Sequence, residues 1–321
     1  MRKTLKPIAA PSLVDFLGLA VLALTWGSSF FFVEIALESF GPLAIAGSRI
    51  AIAAVFLTIV ARLKGHRLPD NARDWKLLFL AGAIGTAIPF SLIAWGQSYI
   101  SSSEAAILMS FTPLATLFFA HWMTDDEKIT GGKIAGLVVG LLGVLVLVGG
   151  GAAGDSSSGV MSIAGKLAVL MAAMGYGASA LLLRRASRMP TFVGAAGVLL
   201  ASASLIVPVA LIFDNPLSTS ASFRSILAVI WLGVWPSAIA VLVLVAVIAR
   251  VGATFVALNN YLVPVVGSLL GVFILGESFG LSRVFGLLLI LVGVLITQYV
   301  QRRQIHMMAE KSSAADATQK G

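Results

Sequence analysis

Ser103-EAAILMSFTPLATLFFAHWMTDDEKITGGKIAGLVVGLLGVLVLVG-Gly150 and Ala253-TFVALNNYLVPVVGSLLGVFILGESFGLSRVFGLLLILVGVLI-Thr297 are two versions of one pattern, about 150 residues apart. In each, a proline (Pro113, Pro264) precedes a glutamate (Glu127, Glu277) by 14 or 13 residues. Six residues beyond each glutamate stands a cation, Lys133 or Arg283, followed by glycines at matching places: Gly136 and Gly143, then Gly286 and Gly293. Upstream, Trp26-Gly-Ser-Ser29 lies 150 residues before Tyr176-Gly-Ala-Ser179. Internal duplication in an apolar chain is the mark of a carrier made of two halves around a central site.

The chain is 59% hydrophobic and 11% charged, with a mean hydropathy of +1.00. Soluble domains carry about 25% charged residues, so the composition is that of an integral membrane protein. The net charge of +8 forms no basic face for a phosphate backbone to follow, which argues against a nucleic-acid partner. With no cysteine and three scattered histidines, His66, His121 and His306, neither thiol chemistry nor a metal centre is expected. No cofactor is implied.

A membrane span needs about 20 mainly apolar residues. Ten stretches qualify: 13–37, 42–63, 75–98, 103–123, 131–150, 160–183, 191–213, 224–248, 252–275 and 281–300. The run from Leu13 to Leu37 is too long for a signal core and reads as a retained first span. Residues 301–321 are polar and read as a disordered cytoplasmic tail. With the N-terminus inside, 18 lysines and arginines fall on the cytoplasmic side against Lys166, Arg224 and Arg283 outside. That asymmetry predicts cytoplasmic termini. Five spans per copy is an odd number, so residues 13–150 and 160–300 enter the bilayer in opposite senses. The expected fold is all-α: ten transmembrane helices as two inverted five-helix repeats.

Trp26–Phe30 (WGSSF), Arg49 in the second span and the repeated proline-to-glutamate stretch together resemble the EamA-type drug/metabolite transporters, over essentially the whole chain. The resemblance implies a multi-pass carrier of the bacterial inner membrane, often an exporter of amino acids, related metabolites or amphipathic toxic compounds. Glu34 stands where the family frequently has lysine.

Arg49 is the foremost candidate for the site. At 1.5 Å per residue it lies roughly 10 Å below the outer surface, where a cation is costly unless it faces protein or water. It either pairs with Glu34 at similar depth or contacts the substrate or coupling ion. Should export be coupled to protons, Glu34 is the carrier to expect, whereas Asp15 and Glu104 read as hydrated span ends. Ser28, Ser29 and Ser179 suit helix packing, with Ser28 able to turn a hydroxyl to a cavity. Trp26 and Tyr176 lie mid-span, away from the usual aromatic belts, and suggest a cavity wall or gate.

Pro113 and Pro264 each remove a helical donor and bend their spans, while Pro89, Pro208 and Pro236 supply further kinks. Ser110, Asn259 and Asn260 precede the repeat prolines, and one asparagine should face the interior to bind substrate or a neighbouring helix. Trp95, Gln97 and Tyr99 end the third span and could gate it. His121 reads as a packed histidine. Glu127–Lys133 and Glu277–Arg283 read as pairs that pin helix hairpins.

No nucleotide-binding GxxxxGK[ST] loop occurs, so this chain does not itself use ATP. An enzyme would need clustered acids or histidines, and a channel a carbonyl filter or charged ring; neither pattern is present. The expectation is a secondary transporter exporting small amphipathic metabolites or amino acids. Its partners are its substrate and the bilayer, with no obligate protein partner evident. A facilitative or multidrug-type carrier of other small organic solutes is the alternative.

Overall fold

The computed structural model describes residues 11–123, 129–149, 159–185, 189–216, 220–251, 253–278 and 280–319. Among them the regular elements are all helical. The first half comprises α1 (Leu13–Leu37), α2 (Pro42–Leu63), α3 (Ala72–Gln97), α4 (Ser102–Met123) and α5 (Gly131–Gly149). The second half begins with α6 (Gly159–Arg185) and α7 (Thr191–Phe213). Then come α8 (Phe223–Val234, Trp235–Ile239 and Ala240–Val251), α9 (Ala253–Val256 and Asn259–Leu275) and α10 (Leu281–Gln319). Apart from the shorter apolar α9, the described spans are long and apolar enough to cross a membrane. The protein is a multi-pass membrane protein.

The principal packing pairs obey one rule: exchange the halves and the list is unchanged. Helix α5 packs on α10, α2 on α7 and α4 on α9, and each of these pairs maps onto itself. The pairs α3–α6 and α4–α6 become α8–α1 and α9–α1. This is the internal two-fold of an inverted repeat. The repeated glycines explain one of the pairs. A Cβ on Gly143 would sit 2.8 Å from the Gly286 carbonyl oxygen, and one on Gly293 would sit 2.5 Å from that of Gly136. Only a residue without a side chain lets two backbones approach so closely.

The bends arise in two ways. In α4 the helix breaks at Ser110–Phe111 and restarts at Thr112, which puts Pro113 in the first turn, where its missing donor costs nothing. In α9 the break is at Ala257–Leu258, and Pro264 lies inside the following helix. In α3 and α8 the ladder widens into π-turns at Ala83–Ala87, just before Pro89, and at Trp235–Ile239, which contains Pro236. A proline cannot donate to the carbonyl four residues back, and a π-bulge absorbs the mismatch. Pro208 lies within a continuous α7.

The segment from residue 301, expected as a disordered tail, continues as helix to Gln319. Extending an existing helix avoids the nucleation cost, and a run rich in Gln, Arg, Met and Ala sustains it.

Candidate functional site

Arg49 lies on the buried face of α2. That helix starts at Pro42, and Asp214 of the other half caps it by accepting from the Ala44 N–H at 2.9 Å. Only 6% of Arg49 is exposed. Its Nε and one terminal nitrogen donate to Ser237 Oγ at 3.2 and 3.0 Å, and the guanidinium lies 3.9 Å from the centre of the Phe90 ring. Phe90 in turn meets the Tyr176 ring edge-on at 6.2 Å. Four helices, α2, α3, α6 and α8, thus supply one cluster of a cation, a hydroxyl and two aromatic rings.

The π-turn in α8 accounts for Ser237. Pro236 has no N–H to give to the Leu232 carbonyl, and the Ser237 hydroxyl donates there instead at 2.8 Å. Its oxygen lone pairs are thereby left facing Arg49. One step further, Ala240 N–H bonds Trp235 O, and the Pro236 carbonyl accepts from Trp26 Nε1 at 3.1 Å. The first half mirrors this: Ser179 of α6 donates to Ala81 O beside the π-turn of α3, at 3.1 Å. The duplicated Trp26 and Tyr176 segments therefore each clasp the π-turn of the opposite half. Ser237 was missed in the sequence, although a hydroxyl directly after a mid-span proline was the available signal.

The expected Arg49–Glu34 pair does not form. Among the described residues no carboxylate pairs with Arg49. Glu34 instead faces Gln97, whose Nε2 donates to Phe30 O at 2.8 Å and lies 3.5 Å from the Glu34 carboxylate. The rotation of α2 about its axis turns Arg49 towards α8.

The other candidates divide. Asn259 is 3% exposed with both amide atoms unpartnered, while Asn260 is half-buried. Ser28 and Ser29 bond the Thr25 carbonyl, and Ser110 bonds Ile107 O at the helix break, so these hydroxyls are satisfied locally. Trp95 packs edge-on against Tyr99 at 5.0 Å, at the end of α3. The ring nitrogen Nδ1 of His121 accepts from the Ile129 N–H. Lys133 is buried at the start of α5, and Glu127 lies outside the described residues.

Glu277 is not paired with Arg283. Its carboxylate accepts from the N–H and hydroxyl of Ser102, at 2.9 and 2.7 Å, from the Ser103 N–H at 3.1 Å, and from the Ser103 hydroxyl. It caps the N-terminus of α4, in the opposite half, where a negative charge meets the positive end of the helix dipole. Partial burial pushes the Glu277 carboxyl up, but the Ser103 and Ser102 hydrogen bonds together hold it below the ordinary value of 4.5. Arg283 turns instead to Glu104 at 3.4 Å and to the Ser278 carbonyl.

Glu104 also meets Lys166 at 3.5 Å, and Lys166 donates to Leu147 O at 2.9 Å. Lys166, counted among the cations of the outer side, is 1% exposed inside α6. Nor are Asp15 and Glu104 hydrated span ends: Asp15 is buried against Arg250 at 2.8 Å, and Glu104 lies between two cations. Glu277, Asp214 and Glu104 together staple the two halves at the end of the bundle where α1 stops, here termed the distal end.

The EamA-like transporter family matches residues 14–149 and again 163–299. The chain belongs to the EamA-like transporter family. Both matches coincide with the five-helix halves, so the duplicated EamA unit and the structural two-fold are the same feature. Among its relatives is the "Probable terminal-alkyne amino-acid exporter" of Streptantibioticus cattleyicolor, 28% identical over 81% of this chain and 84% of that protein. The "Uncharacterized inner membrane transporter YedA" of Escherichia coli K12 is 30% identical, over 82% and 83%. PagO of Salmonella typhimurium is 26% identical, over 86% and 90%. A solved crystal structure at 21% identity covers 90% of this chain and 99% of its own with a TM-score of 0.63, a likeness of fold. As an EamA-family member the protein is a transporter rather than an enzyme.

Proposed function

We propose that the protein exports amino acids or related small amphipathic metabolites by alternating access, with both termini in the cytoplasm of a bacterium and the helices in its inner membrane. The observation that carries this reading is Arg49. A buried guanidinium has five donors, and here, among the described residues, a single hydroxyl and a ring face meet it. An uncompensated buried cation is costly, and a carboxylate is the ligand whose geometry matches the unused fork. Phe90 and Tyr176 supply an aromatic wall for an apolar side chain. Asn259, buried with an unused amide, is the second group assigned to the substrate, since buried polar groups as a rule find partners. One cation suits a single carboxylate and not a polyanion. If protons accompany export, Glu34 is the carrier we assign, because it has no ion-pair partner among the described residues.

Rocking of two inverted halves exchanges an inward-open for an outward-open state, and the crossed clasps of Trp26 and Ser179 on the opposite π-turns support such paired motion. The test is counterflow in proteoliposomes with labelled apolar amino acids. Saturable uptake, accelerated by substrate on the far side, is expected. Arg49→Gln should lower transport efficiency by at least about thirtyfold, the equivalent of roughly 2 kcal/mol for a truncated buried charge partner. Asn259→Ala should raise the apparent substrate constant without harming expression. Equal transport of the corresponding amines lacking a carboxylate, by wild type and Arg49→Gln alike, would refute the anchor and favour a multidrug-type carrier. Absence of trans-acceleration would point to a channel.

A further inference from the structure

The surface between α1 and α8 carries a groove of about 560 Å³ whose walls include Phe32, Ile35, Leu227, Trp231 and Trp235, with Arg224 at one end. It opens outwards: Leu227 and Trp235 are exposed, as are their neighbours Phe223, Ile226 and Ile230 on α8. On an apolar span such a face is bathed in acyl chains, not water. The groove runs from Arg224 to Trp235, eleven residues, or about 16 Å at 1.5 Å per residue. That is about half of a hydrocarbon core of roughly 30 Å, the depth of one leaflet.

Its mouth carries charges of both signs. Arg224 meets Glu38, the residue just after α1, at 3.4 Å, with both side chains largely exposed (61% and 48%). An exposed pair of this kind contributes little and opens at small cost. Inside, Phe32 lies against Trp231 at 4.9 Å, and Trp231 stacks on Trp235 at 5.3 Å. The walls are thus rigid rings, a shape that accepts a flexible chain without having to be ordered by it.

We propose that this groove holds one phospholipid of the distal leaflet bearing a zwitterionic head. Its phosphate meets Arg224, its ammonium meets Glu38, and one acyl chain lies along the ring stack as far as Trp235. The match is one of length and of charge: a single-leaflet chain fills the groove, and a head of phosphoethanolamine type presents the two signs that the mouth holds ready. An anionic head would satisfy Arg224 and be repelled by Glu38. The chain end rests on Trp235, the first residue of the π-turn whose Ser237 holds Arg49, so lipid occupancy bears on the same turn as the central cluster.

The test is tryptophan quenching of the purified full chain in detergent by phospholipids brominated on one acyl chain, with phosphoethanolamine or phosphoglycerol heads. Saturable quenching at lower concentration by the phosphoethanolamine lipid is expected, and the Trp231→Phe, Trp235→Phe double variant should lose it. Arg224→Ala should weaken binding of that lipid about fivefold, the effect of one interfacial charge. Glu38→Ala should weaken it similarly while leaving the phosphoglycerol lipid unweakened. Equal affinity for both heads, indifference to Glu38→Ala, or saturable quenching that survives the double variant would overturn the proposal. So would light scattering showing a dimer whose contact excludes the lipid from this face.

Discussion

Replacing Glu277 should loosen the joint between the two halves, and by an amount that the structure bounds. Four donors from Ser102 and Ser103 converge on its carboxylate, two of them the backbone N–H groups that open α4. Hydrogen bonds to a charged group contribute about 1.5–3 kcal/mol each, and a lost helix cap costs about 0.5–2 kcal/mol. The bonds share one acceptor group, and water can reach it in part, so their values do not add. Glu277→Ala is therefore expected to cost about 2–4 kcal/mol. At about 2 °C per kcal/mol for the larger chains, this lowers the melting temperature by at least about 4 °C.

Detergent thermal-shift measurements on Glu277→Ala, Ser102→Ala/Ser103→Ala and the triple variant make the assay. The triple should cost scarcely more than Glu277→Ala, because the donors and acceptor form one unit. The sign with pH follows from the lowered pKa of this carboxyl. A carboxyl held below its unfolded value stabilises the fold at pH above that value, and the benefit fades as pH falls below about 4.5 through the folded pKa. Wild type and Glu277→Gln should differ steadily from pH 5 to 7 and converge in more acid solution. A Glu277→Ala protein that melts with wild type, or a gap that widens on acidification, would refute the capping role.

Three further outcomes follow from the same packing. Gly143→Ala places a methyl 2.8 Å from the Gly286 carbonyl oxygen and the Ile290 nitrogen; both obstacles are backbone, so the α5–α10 contact must open and thermal stability should fall by about 1–3 kcal/mol. Lys166→Met leaves Glu104 with Arg283 as its remaining cation, and adding Glu104→Gln should recover part of the loss in folded yield. Arg49→Gln and Glu34→Gln share no partner among the described residues, so their effects on thermal stability should sum to within about 0.5 kcal/mol; recovery in the double variant would restore the pair that sequence depth suggested.

The parts legible in the sequence were those written along one helix. Spacing of apolar runs located the spans, and the shared interval from proline to glutamate to glycine revealed the duplication. An odd number of spans per copy then implied inversion. The glycines at 136, 143, 286 and 293 were visible as a repeat, and their use as the α5–α10 contact is its natural consequence. The site was legible only in part. Arg49 stood out because a cation at that depth is costly anywhere, but its neighbours come from α3, α6 and α8, and no spacing on α2 points to them.

Lys166 shows the same limit. Counted on the outer side by its place near a span end, it is buried, because a lysine stem can reach inwards to Glu104 and to a carbonyl on α5. Glu277 and Arg283, six residues apart, looked like partners, yet each found a better one across the two-fold.

Hydrophobic length and repetition are one-dimensional quantities, and the sequence alone settled what depends on them: membrane residence, ten spans, two halves and their opposed sense. Rotation of each helix about its axis, and the departure of α3 and α8 from regular geometry at a proline, are three-dimensional. They decided that Arg49 meets Ser237 and Phe90 and not Glu34, and that carboxylates of one half cap helices of the other. The physical reason is that depth in a bilayer depends on residue count, whereas the direction a side chain faces depends on how neighbouring helices pack.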